Sequence, residues 1–185
     1  MIKRFLSSAL EVIEVVVVAF GAVFLIKSFL VQPFLVSGSS MVPNFSDGDY
    51  LLVDEATYHF RPPQRGEVIV FRYPKQESVY FVKRIIGLPG ERVQIKNGRV
   101  IVFNQTHPAG LMLAEPYLPG EGAAAGSAEF QASEKSYFVM GDNRLYSFDS
   151  RSWGMLPEQE IIGLVQLRLW PPTSLKVFAA PSYQN

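Results

Sequence analysis

Between Val12 and Val31 the chain runs for 20 residues in which only Glu14, Lys27 and Ser28 are polar. Wound as an α-helix at about 1.5 Å per residue, this stretch covers the roughly 30 Å of a bilayer's hydrocarbon core. Its uninterrupted part, Val15 to Ile26, is 12 residues long, a length that also suits a buried core helix or the apolar region of a signal peptide. Charge placement separates these readings. Lys3 and Arg4 precede the stretch, and from Ser28 to Phe60 there is no Lys or Arg, so the positive-inside rule puts the N-terminus in the cytoplasm and the remainder outside. Lys27 can extend its ammonium to the outer interface, with Glu11 and Glu14 near the inner one. A cleaved signal peptide is the rival reading, and Ser37 to Ser40 could supply its small residues. The apolar run continues through Phe29, Leu30, Val31, Phe34 and Leu35, however, which favours an uncleaved anchor. The expected organisation is a cytoplasmic N-terminus over 1–11, a single transmembrane anchor over 12–31 and an extracytoplasmic domain over 32–185.

Of 185 residues, 48% are hydrophobic and only 18% charged, so some of the apolar material belongs in lipid or in a large core. The 17 basic residues cancel the 17 acidic ones, which removes the basic excess that marks a nucleic-acid binder. With no cysteine there is no disulfide framework, thiol nucleophile or thiolate metal site.

After Val36 the chain reads as mainly β. Leu51–Val53, Val68–Phe71, Val79–Val82, Val93–Ile95, Val100–Phe103, Tyr137–Met140 and Ile161–Leu169 are short runs of β-branched and aromatic residues separated by Gly and Pro. Lys96-Asn97-Gly98-Arg99 is a type I′ hairpin signal, because Asn and Gly tolerate positive φ. From 104 to 135 the pattern loosens into Pro, Gly, Ala, Glu and Ser, which predicts a long surface excursion.

Three segments carry chemistry. Ser37-Gly38-Ser39-Ser40-Met41-Val42-Pro43 follows the anchor directly; its composition suits a plain turn, but a serine nucleophile there would work at the membrane surface. On the strand around Val79–Ile86, alternation sends Lys83 to the same side as Phe81. Burial there would lower its pKa and free a neutral amine as base, whereas a Lys83-Arg84 pair on a solvated edge would do nothing. Gly141-Asp142-Asn143-Arg144 to Ser147-Phe148-Asp149-Ser150-Arg151 reads as a loop fixed by its own hydrogen bonds and ion pairs. His59 and His107 sit in no comparable context, so a Ser-Lys dyad is favoured over a Ser-His-Asp triad. Two unclustered histidines without an HExxH pattern argue against metal catalysis.

These segments, in this order behind an anchor, resemble the bacterial type I signal peptidases: Ser40-Met41-Val42-Pro43, Gly48-Asp49, Arg65-Gly66-Glu67, Lys83-Arg84-Ile85-Ile86-Gly87-Leu88-Pro89-Gly90, and Gly141-Asp142-Asn143-Arg144 with Ser147 to Arg151. The resemblance implies a compact all-β catalytic domain of signal-peptidase/LexA-like type. It makes Ser40 the nucleophile and Lys83 the general base, with no cofactor or metal. Ser147 corresponds to a serine that hydrogen-bonds the base, and Asp149 and Arg151 to residues that support the site. The oxyanion donors would be the Ser40 N–H and a group two residues earlier, where Gly38 stands in place of the serine of some members. Leu145-Tyr146 is a second departure, from a more polar loop.

The family cleaves exported preproteins after small residues at −1 and −3, and Phe34, Val36, Met41, Phe45, Phe81 and Val82 are the residues placed to line shallow pockets that exclude larger side chains. The implied partners are preprotein signal peptides and membrane phospholipid, close to the secretion translocon, at a bacterial cytoplasmic membrane. Trp153 and Trp170 are either interfacial anchors or core residues. A self-processing or regulatory Ser-Lys protease and a non-catalytic tethered β domain are the alternatives.

Overall fold

The computed structural model describes residues 11–21, 31–120, 126–181 and 183. Of the expected anchor, residues 11–21 form helix α1, and 22–30 lie outside the described residues. Val31 opens a strand instead of closing a helix, because its backbone pairs with Asp54. Among the described residues no helix is long and apolar enough to cross a membrane. The side chains of α1 touch no core: Val15, Val17 and Phe20 are 68%, 63% and 74% exposed.

The strands, in chain order, are β1 (Val31–Leu35), β2 (Tyr50–Asp54), β3 (Val68–Tyr73), β4 (Gln76–Gly87), β5 (Arg92–Lys96), β6 (Arg99–Phe103), β7 (Leu111–Met112), β8 (Ala128–Gln131), β9 (Ser136–Met140), β10 (Leu156–Pro157), β11 (Ile161–Trp170) and β12 (Lys176–Val177). Two four-residue helices, α2 (Thr57–Phe60) and α3 (Ser150–Trp153), join them. One antiparallel sheet has the order β1-β2-β11-β3-β4-β9-β10 with β12 added to β11, and the second has the order β7-β6-β5-β8.

The continuous apolar runs belong to strands covered on both faces, where alternation distributes side chains between two cores. In β3, Val68 and Val70 join one buried cluster with Val36, Met41, Phe45 and Leu51, while Ile69 and Phe71 join another with Ile85, Tyr137, Val139 and Trp153. In β9, Phe138 and Met140 face a third cluster built on Val93, Ile95, Val100 and Val102 of the second sheet. A change in β3 or β9 therefore reaches two cores.

At the β5–β6 hairpin Lys96 pairs with Arg99, and Asn97 and Gly98 take φ of 51° and 77°, the positive pair that a type I′ turn needs. The 104–135 excursion is more ordered than its composition predicts. It contributes β7 and β8 as the two edges of the second sheet, and its Leu111, Leu113 and Phe130 pack into that sheet's core. Of the two tryptophans, Trp153 is buried against Phe71 as a core residue, and Trp170 is 56% exposed.

Candidate active site

Ser40 lies in the turn that follows β1, and Lys83 sits on β4, whose antiparallel pairing to β3 puts Lys83 opposite Ile69 in the middle of the larger sheet. That position takes the side chain out of water, and Lys83 is 3% exposed. Its Nζ donates to Ser40 Oγ at 2.7 Å and to the Val82 carbonyl at 2.9 Å. Burial pushes the Lys83 pKa down from 10.5 to about 8, against the opposing pull of Asp149 and Asp142. Desolvation disfavours the ammonium, so a substantial neutral fraction exists near neutral pH. The Phe81 ring, 5.2 Å from Nζ, forms one wall.

The solvated-edge reading of Lys83-Arg84 fails for both residues. Arg84 is 4% exposed, and its guanidinium grips Asp142 through Nε–Oδ1 at 2.8 Å and a terminal nitrogen to Oδ2 at 2.7 Å. It also donates to the Gly66 carbonyl at 2.7 Å and lies 3.8 Å above the Tyr117 ring. Asp142 Oδ2 accepts from Asn44 Nδ2 at 2.8 Å. The neighbouring Asn143 donates its N–H to the Ser40 carbonyl at 2.9 Å and its Nδ2 to the Ser39 carbonyl at 3.0 Å. Arg144 donates to the Gly141 carbonyl at 3.0 Å and pairs with buried Glu115. The loop after β9 therefore holds the Ser40 backbone from one side, while the strand carrying Lys83 is pinned to the same loop through Arg84.

Asp149 is fully buried and caps α3, accepting from the Gly141 N–H at 3.0 Å and from Arg151 Nε and a terminal nitrogen at 2.8 Å each. Burial alone would raise its pKa, but the hydrogen bonds from Arg151 and Gly141 outweigh it and hold the carboxyl below its ordinary range. Gly141 has a steric reason to be glycine, since a Cβ there would overlap Ser147 Oγ and the Ser40 carbonyl. Ser147 Oγ is buried beside it, and its hydroxyl is among the groups that lower the Asp149 pKa. The resemblance pairs this hydroxyl with the base; here Lys83 Nζ is held by Ser40 and Val82 instead.

Gly38 has φ of +100°, which a side chain would strain. Its N–H is committed to Asp47 Oδ1 at 2.7 Å, so it is not a spare oxyanion donor. A cleft of about 280 Å³ runs from this turn along β4, lined by Phe34, Val36, Met41, Phe81 and Val82 together with Val70, Tyr80, Tyr146 and Phe148. Phe45 does not line it. That ring is wholly buried and packs on Phe178 at 4.3 Å between centroids, because the helical turn from Met41 carries it beneath the loop.

The sequence reading missed Asn44, Asn143, Glu115, Tyr117 and the cleft residues Tyr80, Tyr146 and Phe148. Asn143 lay inside a motif already singled out, whereas nothing local in the excursion marks Glu115 or Tyr117 as partners of distant arginines. The two histidines stay apart from the site: His59 is on α2, and His107 bonds Thr106 in the excursion.

Residues 9–170 match the family described as signal peptidase, peptidase S26. The signal peptidase I of Leptolyngbya laminosa is 38% identical over 176 residues, covering 91% of this chain and 81% of that protein. Signal peptidase IB of Staphylococcus aureus is 32% identical over 178 residues, covering 90% and 92%. A solved signal peptidase I from Enterococcus faecalis superposes with a TM-score of 0.48 at 27% identity, over 57% of this chain and 98% of that one. With a match that runs through all the motif-bearing segments and relatives above 30% identity along nearly the full length, the chain belongs to the signal peptidase S26 family and is a serine endopeptidase.

Proposed function

We propose that the chain removes signal peptides from exported preproteins with a Ser40/Lys83 dyad while anchored in the bacterial cytoplasmic membrane. The observation that carries the dyad is the 2.7 Å contact between Ser40 Oγ and a lysine amine that is 3% exposed. Neutral Lys83 takes the Ser40 proton as Oγ attacks the scissile carbonyl. The Ser40 N–H donates to the oxygen that becomes negative, and the resulting Lys83 ammonium protonates the leaving amine. Water deprotonated by Lys83 then releases the acyl group. Gly38, Ser147, Asp149 and Arg151 support this constellation without exchanging protons. Phe34, Val36, Met41, Phe81 and Val82 would admit small side chains at −1 and −3 and reject larger ones by clash.

This mechanism makes the rate depend on the fraction of neutral Lys83. Below its pKa the amine is protonated and cannot accept the Ser40 proton, so kcat/KM should fall about tenfold per pH unit on the acid side and level off above about 8. Initial rates on a preprotein from pH 5 to 10 read this directly. A flat profile down to pH 5 would eliminate lysine as the base.

Anchoring is supported by the lipid-compatible surface of α1 and by exposed apolar side chains at the same end as the cleft. Leu35 pairs with Tyr50, Tyr50 pairs with Trp170, and these are 58%, 45% and 56% exposed. Such a row suits the interfacial zone of a bilayer, near phospholipid headgroups and the translocon. The full chain should remain in the membrane pellet after alkaline carbonate washing, and a variant beginning at residue 31 should be released. Release of the full chain would overturn the anchor.

A further inference from the structure

The family match ends at residue 170, yet the segment beyond it is tied into the supports of both catalytic side chains. After Trp170 the chain makes a short turn at Pro172–Ser174, adds β12 to β11 and runs back to Tyr183. Arg168 makes the first tie. Its Nε donates to the Ser174 carbonyl at 2.8 Å, and one terminal nitrogen donates to the Asn44 carbonyl at 3.0 Å and to Asp49 Oδ2 at 2.9 Å. One guanidinium thus joins the tail's turn to the residue after Pro43 and to the carboxylate that accepts from the Ser46 N–H at 2.8 Å.

Phe178 makes the second tie. Its N–H donates to the Gln166 carbonyl at 2.9 Å, and its ring stacks on Phe45 at 4.3 Å, with the Arg168 guanidinium 5.8 Å away on the same ring. Phe45 is wholly buried in the cluster that includes Val36 and Met41, two walls of the cleft. The third tie is at Gly66, where a Cβ would stand 2.8 Å from Pro181 Cδ and from Tyr183 Cε2. The Gly66 carbonyl in turn holds Arg84, the residue after the base.

We propose that residues 171–181 together with Tyr183 form an intramolecular strap that positions the Ser40 loop, with Phe178 as its main positioning residue acting through Phe45. The proposal deepens the reading of the cleft as a peptidase site and rests on that reading for its kinetic consequence. Without the Phe178 ring, Phe45 has space to drop, Met41 follows, and Ser40 leaves its alignment with Lys83. A nucleophile misplaced by about 1 Å loses on the order of 100-fold in rate.

The test compares full-length wild type, Phe178→Ala and Phe178→Leu in detergent by amide hydrogen exchange and by cleavage of a preprotein. In Phe178→Ala the amides of Phe45, Gly48 and Asp49, bonded to the Met41, Val36 and Ser46 carbonyls, should exchange at least about tenfold faster. The β5–β6 hairpin should stay as protected as in wild type. Over the same comparison kcat should fall about 10- to 100-fold with KM within about twofold, the pattern of a lost alignment and not of lost substrate binding. Phe178→Leu should recover most of both. Unchanged loop exchange and kcat in Phe178→Ala would overturn the strap, as would equal acceleration in both sheets, which would make the tail a general stabiliser. If loop exchange responds as expected but wild type cleaves no preprotein, the strap stands and the peptidase reading falls.

Discussion

Preprotein cleavage by Lys83→Ala should fall at least about a thousandfold below wild type, and by Ser40→Ala as far. In the proposed mechanism the two groups act as one unit, because the amine would have no role without the hydroxyl 2.7 Å away that it deprotonates. The double variant is therefore no slower than either single one, and this non-additivity distinguishes a dyad from two independent contributions. Lys83→Arg does not rescue: a guanidinium keeps its proton at any pH the protein survives, and it is bulkier than the ammonium in a site enclosed by Phe81 and Val82. Steady-state rates with purified variants, checked for folding by circular dichroism, measure the effect. Wild-type cleavage by Lys83→Ala would remove lysine from the mechanism and return attention to His59 and His107.

Asp142→Ala should cost about 3–5 kcal/mol of stability, to be measured from urea midpoints, because it leaves the Arg84 guanidinium buried without its counter-charge. The side chains of this pair are 5% and 0% exposed, so water cannot take the carboxylate's place. For a chain of this size that loss lowers the melting temperature by about 10 °C. The same substitution releases Asn44 Nδ2 from Oδ2, so the loop carrying Ser40 loosens along with the strand carrying Lys83. Replacing both partners with apolar residues, Arg84→Met with Asp142→Leu, returns most of the stability, since no charge is left stranded. It should not return full activity, because Asn44 keeps only the Tyr117 carbonyl as acceptor and loses its tie to the loop after β9. An Asp142→Ala protein that unfolds at the wild-type midpoint would show that the pair contributes nothing.

Local chemistry made the strands and the Asn97-Gly98 turn legible, through alternation and positive φ. Ser40 and Lys83 became legible only through the ordered motifs of the family resemblance, since composition alone suits a turn. Asp149 and Arg151 were readable as an ion pair fixing the loop, and their place beside the site came from the resemblance. Spacing alone left Lys83-Arg84 open to an edge reading, and only the covering of β4 by β3 and β9 shows that both are buried. Phe45 was misplaced because a residue five positions after a nucleophile can face the cleft or the core, and the turn starting at Met41 sends it to the core. The excursion was read as loose because Gly, Ala and Ser dominate its middle. Its Leu111, Leu113 and Phe130 are too sparse to signal that both ends would edge a sheet, and the arginine partners Glu115 and Tyr117 depend wholly on long-range folding.

The strand β1 begins immediately after the apolar stretch and delivers Ser40 within ten residues of Val31. Even fully extended, that length of chain reaches no more than about 35 Å, and its first five residues are already committed to the sheet. Under the proposed anchoring, the enzyme would work as a short-tethered blade with a fixed cutting height above the bilayer. Small-residue sequences in the mature part of an exported protein would then escape cleavage by altitude alone, and the pockets would have to discriminate only among the few bonds that emerge at that level.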